Sequence, residues 1–112
     1  IRRGVFMIIP KNYEELAEIV KSEGKHVLFF TAGWCPDCTF IKPKMPELEV
    51  EFSDFDFVEV DRDEFMDLAI EWGIMGIPSF VTLENGKETG RLVNKLRKTK
   101  EEVSEFLKGV DK

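Results

Sequence analysis

Histidine occurs once, at His26, and cysteine twice, in one cluster at Cys35 and Cys38. A tetrahedral zinc site needs four ligands, so these residues could build one only across a dimer. A secreted disulfide scaffold of this length would use more cysteines and spread them apart, which makes a cytoplasmic compartment the default. Long apolar runs are also missing. The longest, residues 5–9 and 27–30, have strand length and fall far short of the roughly 18 residues of a spanning helix. The first of them is too short for the apolar region of a signal peptide, and no small-residue cleavage site follows. Basic residues are outnumbered, with 16 Lys and Arg against 22 Asp and Glu and a formal charge of −6. Nucleic acids and anionic membranes both reward an excess of cations, so neither is an expected partner. No repeat, linker or low-complexity tract interrupts the chain.

What remains is the material of one monomeric domain. The 112 residues are 43% hydrophobic, and 10 of them are Phe, most of which should be core. A chain of this size buries roughly two thirds of its unfolded surface, so it needs no metal or disulfide to hold its core. Residues 1–6 read as a tag or leader remnant ahead of a start at Met7, and residues 7–112 as the domain.

The chemistry-bearing segment lies between recognisable elements. Residues 5–9 read as a short strand ended by Pro10. Asn12, with Glu15 three residues on, caps a helix whose stripe is Tyr13, Leu16, Ala17 and Val20. The unbroken apolar run 27–30 suits a strand buried on both faces. A second helical pattern after Cys38 carries Ile41, Met45, Leu48 and Phe52, and Pro43 and Pro46 predict a kink in it. Residues 55–60 form a strand, Asp61 and Glu64 cap a helix with Phe65, Leu68, Ala69 and Trp72, and residues 80–83 form another strand. Asn85-Gly86 turns it into an antiparallel partner over 88–93. Thr99 and Glu102 cap a last helix. The order β α β α β α β β α implies an α/β fold, one mixed sheet with helices on both faces.

Thr31-Ala32-Gly33-Trp34-Cys35-Pro36-Asp37-Cys38 stands where the buried strand hands over to a helix. Cys35 fits the N-cap, Pro36 the first helical position and Cys38 the first turn. Residues three apart there are neighbours, within reach of a disulfide. The helix N-terminus offers unpaired N–H groups and partial positive charge, which favour a thiolate at Cys35. Cys38, one turn inward, should be more buried and less acidic. Asp37 opposes the thiolate with a second negative charge, so Pro36 and Asp37 are read as tuning residues. One sulfur attacks and the other resolves, which is dithiol exchange. Half a zinc site or an inert pair is the competing reading of the two cysteines.

In this order and spacing the chain resembles the thioredoxin family from Met7 to Val110. The resemblance rests on Trp34, Cys35 and Cys38 after a buried strand, Pro43 in the next helix, Gly76-Ile77-Pro78 before the fourth strand, the Asn85-Gly86 turn and the capped last helix. It implies a thioredoxin-like fold and a thiol–disulfide oxidoreductase that reduces protein or small-molecule disulfides, with no metal and no cofactor beyond a Cys35–Cys38 disulfide. It implies a cis Pro78 facing the cysteines, an Ile77 backbone that pairs with substrate, a docking role for Trp34, and electron transport from a thioredoxin reductase-like donor. There are departures. Pro36-Asp37 replaces the common Gly-Pro, Thr31 replaces an aromatic residue, and Asn94 replaces a glycine beside the groove. Phe29 and Phe57 occupy the positions of a buried Asp and Lys that assist proton transfer. Water, Asp37 or Glu59 would have to move the proton of Cys38.

Other residues have plainer readings. Trp72 lies on a helical stripe and is core, His26 is a strand-start residue, and Glu47, Glu49, Glu51 and Asp54 form a solvated face. A dedicated reductant of one partner enzyme, or a redox-gated binding module without turnover, are the alternative functions.

Overall fold

Every residue of β1 (Lys25–Thr31) from His26 onward is buried, because this strand is covered on both faces. Side chains alternate across a strand. Val27 and Phe29 enter one apolar cluster, Leu28 and Phe30 the other. An apolar run with no polar alternation is the result. The computed structural model describes residues 7–110.

β2 (Phe55–Asp61) runs parallel to β1, from Lys25 opposite Phe55 to Thr31 opposite Asp61. β3 (Ser79–Glu84) lies antiparallel on the other side of β1, and β4 (Lys87–Leu92) pairs antiparallel with β3. The sheet order is β2-β1-β3-β4, a mixed sheet as expected. Asn85 and Gly86 both have positive φ, 53° and 84°, which suits a tight hairpin between twisted strands.

Of the strand expected at 5–9, the described residues show one parallel bridge, Ile8 with Val58. The Ile8 amide donates to Phe57 O and its carbonyl accepts from Glu59 N, each at 2.8 Å. Pro10 has no N–H to continue the ladder, and Ile9 is exposed. Residues 1–6, with the expected tag or leader remnant and the start of that strand, lie outside the described residues, as do 111 and 112.

The helices α1 (Tyr13–Lys21) and α4 (Met66–Glu71) lie over one face of the sheet, with Leu16, Phe65 and Ala69 in its cluster. The opposite face takes α2 (Pro36–Ile41), α3 (Met45–Glu51) and α5 (Lys100–Val110), through Ile41, Met45, Leu48, Val103 and Leu107. There Phe29 stacks on Phe80 with centroids 5.1 Å apart. The kink is a 3-10 turn over Lys42–Lys44, and Pro46 opens α3. Thr99 and Glu102 form the expected reciprocal cap, with bonds of 3.1 and 3.0 Å.

Two expectations need correction. Asp61 accepts the amides of Asp63 and Glu64, at 2.8 and 3.2 Å, but this orders a turn and not the start of a helix. Phe65, at φ −112° and ψ 45°, breaks the helical path, and α4 begins at Met66. Glu49 is not on a solvated face, being only 1% exposed. It stands four residues after Met45 and three before Phe52, which places it on the inward stripe of α3.

Candidate active site

β1 delivers the chain to the top of the sheet, and α2 starts there. Cys35 is the N-cap of α2 and Pro36 its first residue. The Cys38 amide donates to Cys35 Sγ at 3.2 Å, so the sulfur takes the place that a cap oxygen usually holds. This contact and the aligned peptide dipoles stabilise negative charge on that sulfur. Both cysteines are free thiols. The Cys35 thiol also points at the carbonyl of Ile77, 3.9 Å away. Ile77 and Pro78 are joined by a cis peptide bond.

Cys38 sits one turn behind and is 1% exposed. Burial, then its contact with Cys35, push its thiol up to about 11, while bonds from the Thr31 side chain and the Ala32 backbone act the other way. The two sulfurs open onto different spaces. Cys35 lines an outer groove of about 290 Å³ with Trp34, Pro36, Asp37, Ile77 and Lys95 among its walls. Cys38 lines an inner cavity of about 300 Å³, together with Thr31, Lys42, Glu59 and Asp61. Across that cavity Lys42 Nζ pairs with Glu59 at 3.0 Å.

The sequence candidates thus converge. Trp34 is 61% exposed at the groove. Its indole N–H donates to Asp63 at 2.6 Å, and the Arg62 guanidinium lies over its ring at 5.4 Å. Asp37 does not face the sulfurs as a lone charge. Arg97, sixty residues away, donates to it at 2.9 Å and covers the Phe40 ring at 4.4 Å.

Several site residues escaped the sequence reading, Lys42 and Lys95 in the walls among them. Arg62 and Asp63 fix Trp34, Arg97 holds Asp37, and Lys98 orders the loop that presents Arg97. Lys98 is 1% exposed, and its ammonium donates to the carbonyls of Asn94 and Leu96. Burial holds its amine below the usual lysine range. The loop packs so closely on Gly76 that a Cβ there would overlap the Asn94 carbonyl. Only Lys98's position directly before the Thr99 cap hinted that it stands at a fixed point. Among the described residues no group of three or more His, Cys, Asp or Glu could hold a metal ion. No described helix is long and apolar enough to cross a membrane.

The thioredoxin family model matches residues 5–109. The chain belongs to the thioredoxin family. A thioredoxin of Mycoplasma genitalium is 33% identical over 90 residues, covering 80% of this chain and 88% of that protein. Thioredoxin H2 of Arabidopsis thaliana is 38% identical over 76 residues, 68% of this chain, which spans 57% of that longer relative. Among solved structures, a thioredoxin of Nicotiana alata superposes with a TM-score of 0.78 at 27% identity, covering 96% of each chain. A thioredoxin of Trypanosoma brucei brucei shares the fold, with a TM-score of 0.85 at 23% identity over 99% of this chain and 98% of its own. The α/β architecture expected from the sequence is thus the thioredoxin fold.

Proposed function

We propose that this chain is a protein-disulfide reductase working through Cys35 and Cys38. Family membership and the Cys-x-x-Cys dithiol make it a thiol–disulfide oxidoreductase. The observation that carries the mechanism is the position of Cys35 Sγ, at the N-terminus of α2 and on the open groove, with Cys38 one turn behind.

The steps balance on these two sulfurs. Cys35 thiolate attacks one sulfur of a substrate disulfide and forms a mixed disulfide. The departing substrate sulfur leaves as a thiolate and takes a proton. Cys38 loses its proton and attacks Cys35 Sγ, which releases the second substrate thiol and leaves a Cys35–Cys38 disulfide. Two electrons pass from protein to substrate. Cys38 needs help at the second step because burial disfavours its charged form. Glu59 is the group that would receive that proton through water, since it lines the same cavity. Asp37, held by Arg97, lies on the outer side.

Trp34 and the Ile77-Pro78 turn form the docking walls, with the Ile77 backbone pairing with substrate as an added strand. Pro36 and Asp37 tune the dithiol. An external dithiol donor of the thioredoxin-reductase kind returns the electrons, and no metal or organic cofactor takes part. The protein acts as a cytoplasmic monomer. Equilibration of the Cys35–Cys38 pair against a dithiol buffer tests the direction. A potential near −270 mV fits a reductant, and one near −120 mV would make the protein an oxidant and overturn this reading.

A further inference from the structure

The chain carries a formal charge of −6, yet residues 95–100 hold Lys95, Arg97, Lys98 and Lys100 and no acid. The loop that contains most of them lies against the active-site groove. Asn94 abuts Gly76, Lys95 lines the groove, and buried Lys98 ties the loop to its own carbonyls. The acids at the groove are engaged. Asp37 is bound by Arg97 at 2.9 Å, and Asp63 by the Trp34 indole and by Arg62 at 3.3 Å. Lys95 is exposed, and no ion pair joins it to another described residue. Arg62 and Arg97 are matched by Asp63 and Asp37, which leaves Lys95 as the groove cation with no acidic partner among the described residues. Between these charges the walls are apolar, with Trp34, Met75 and Ile77 around Cys35. A cation beside low-dielectric walls attracts ligands of the other sign.

We propose that the preferred substrates are protein disulfides flanked by carboxylate side chains, which Lys95 receives beside Cys35. The inference rests on the reductase reading and deepens it. Apolar walls take the residues next to the substrate cysteine, and Lys95 takes an Asp or Glu within a few residues of it. The exchange step is unchanged, with two electrons passing from the Cys35–Cys38 dithiol to the substrate disulfide. Arg97 contributes by holding the Asp37 carboxylate, which would otherwise repel such a substrate.

The test uses two synthetic peptides, each with one intramolecular disulfide, identical except that the flanking residues are Glu in one and Lys in the other. Neutral bis(2-hydroxyethyl) disulfide serves as a third substrate. The reduced protein should show a kcat/KM about tenfold higher for the Glu peptide at low salt, with the ratio shrinking as salt screens the charges. In Lys95→Glu the same ratio should fall severalfold. A ratio within one variant cancels any change in sulfur chemistry. Equal rates for the two peptides at low salt, or a ratio unmoved by Lys95→Glu, would overturn the inference while reduction of the neutral disulfide left the reductase reading standing. No reduction of any of the three would overturn both.

Discussion

Arg97 Nε lies 2.9 Å from Asp37 Oδ1, across sixty residues of sequence. The carboxylate stands between the two cysteines in the chain, where its charge opposes a thiolate. The guanidinium offsets that charge. Both side chains are partly exposed, so the coupling is modest, on the order of 0.2–1 kcal/mol. Arg97→Met should slow alkylation of Cys35 by iodoacetamide at neutral pH about two- to threefold. Asp37→Asn should speed it, and the double variant should return close to the parent rate. Additive effects would show that Arg97 acts through loop structure and not through the Asp37 charge.

The buried thiol of Cys38 predicts a pH dependence of stability. Its folded value of about 11 lies above the ordinary 9.0. The unfolded chain therefore releases this proton first, and the folded state loses stability as pH rises through that window. Urea unfolding of the reduced protein should show the loss between about pH 9 and 11, and Cys38→Ser should flatten it. An unchanged slope in Cys38→Ser would assign the alkaline loss to another group.

Glu59 shares the inner cavity with Cys38. If it accepts the resolving proton, Glu59→Gln should slow release of a preformed mixed disulfide by about a hundredfold at pH 7, at the low end of acid–base contributions. The deficit should vanish at alkaline pH, where hydroxide ionises Cys38 unaided. A deficit that stays constant with pH would point instead to the loss of the Lys42–Glu59 pair, 3.0 Å long, as a structural contact.

Gly76 is the seat of the basic loop, since a Cβ there would meet the backbone of Asn94 and of Lys95, the latter at 2.7 Å. Backbone yields poorly, so Gly76→Ala should cost about 1–3 kcal/mol of stability. Chemical denaturation would measure it. A neutral substitution would mean that the loop moves away freely.

The parts that were legible in the sequence are those set by short-range rules. The cap at Cys35, the proline kink, the Asn85-Gly86 turn and the Thr99–Glu102 cap each need only a few adjacent residues. The burial of β1 on both faces was legible because an uninterrupted apolar run has few other uses. Asp37 illustrates the limit, since its local position suggests an unopposed charge and its partner is supplied by a distant loop. Lys98 was missed because lysine is almost never fully buried without compensating partners. The two carbonyls that receive it belong to a loop whose path no local pattern fixes. Glu49 was misread through its residue type, although its spacing from Met45 and Phe52 pointed inward. Among the described residues of the opening strand only Ile8 pairs, because an apolar stretch shows the capacity to pair but not the number of residues that find a partner.

Trapping of the exchange intermediate bears most directly on the roles of the two sulfurs. Cys38→Ser should accumulate a one-to-one mixed disulfide with an oxidised peptide substrate through Cys35, seen by intact mass and released by dithiothreitol, while Cys35→Ser forms none. A stable complex that survives blocking of the thiols, or an adduct carried by Cys38 in the Cys35→Ser variant, would contradict the account.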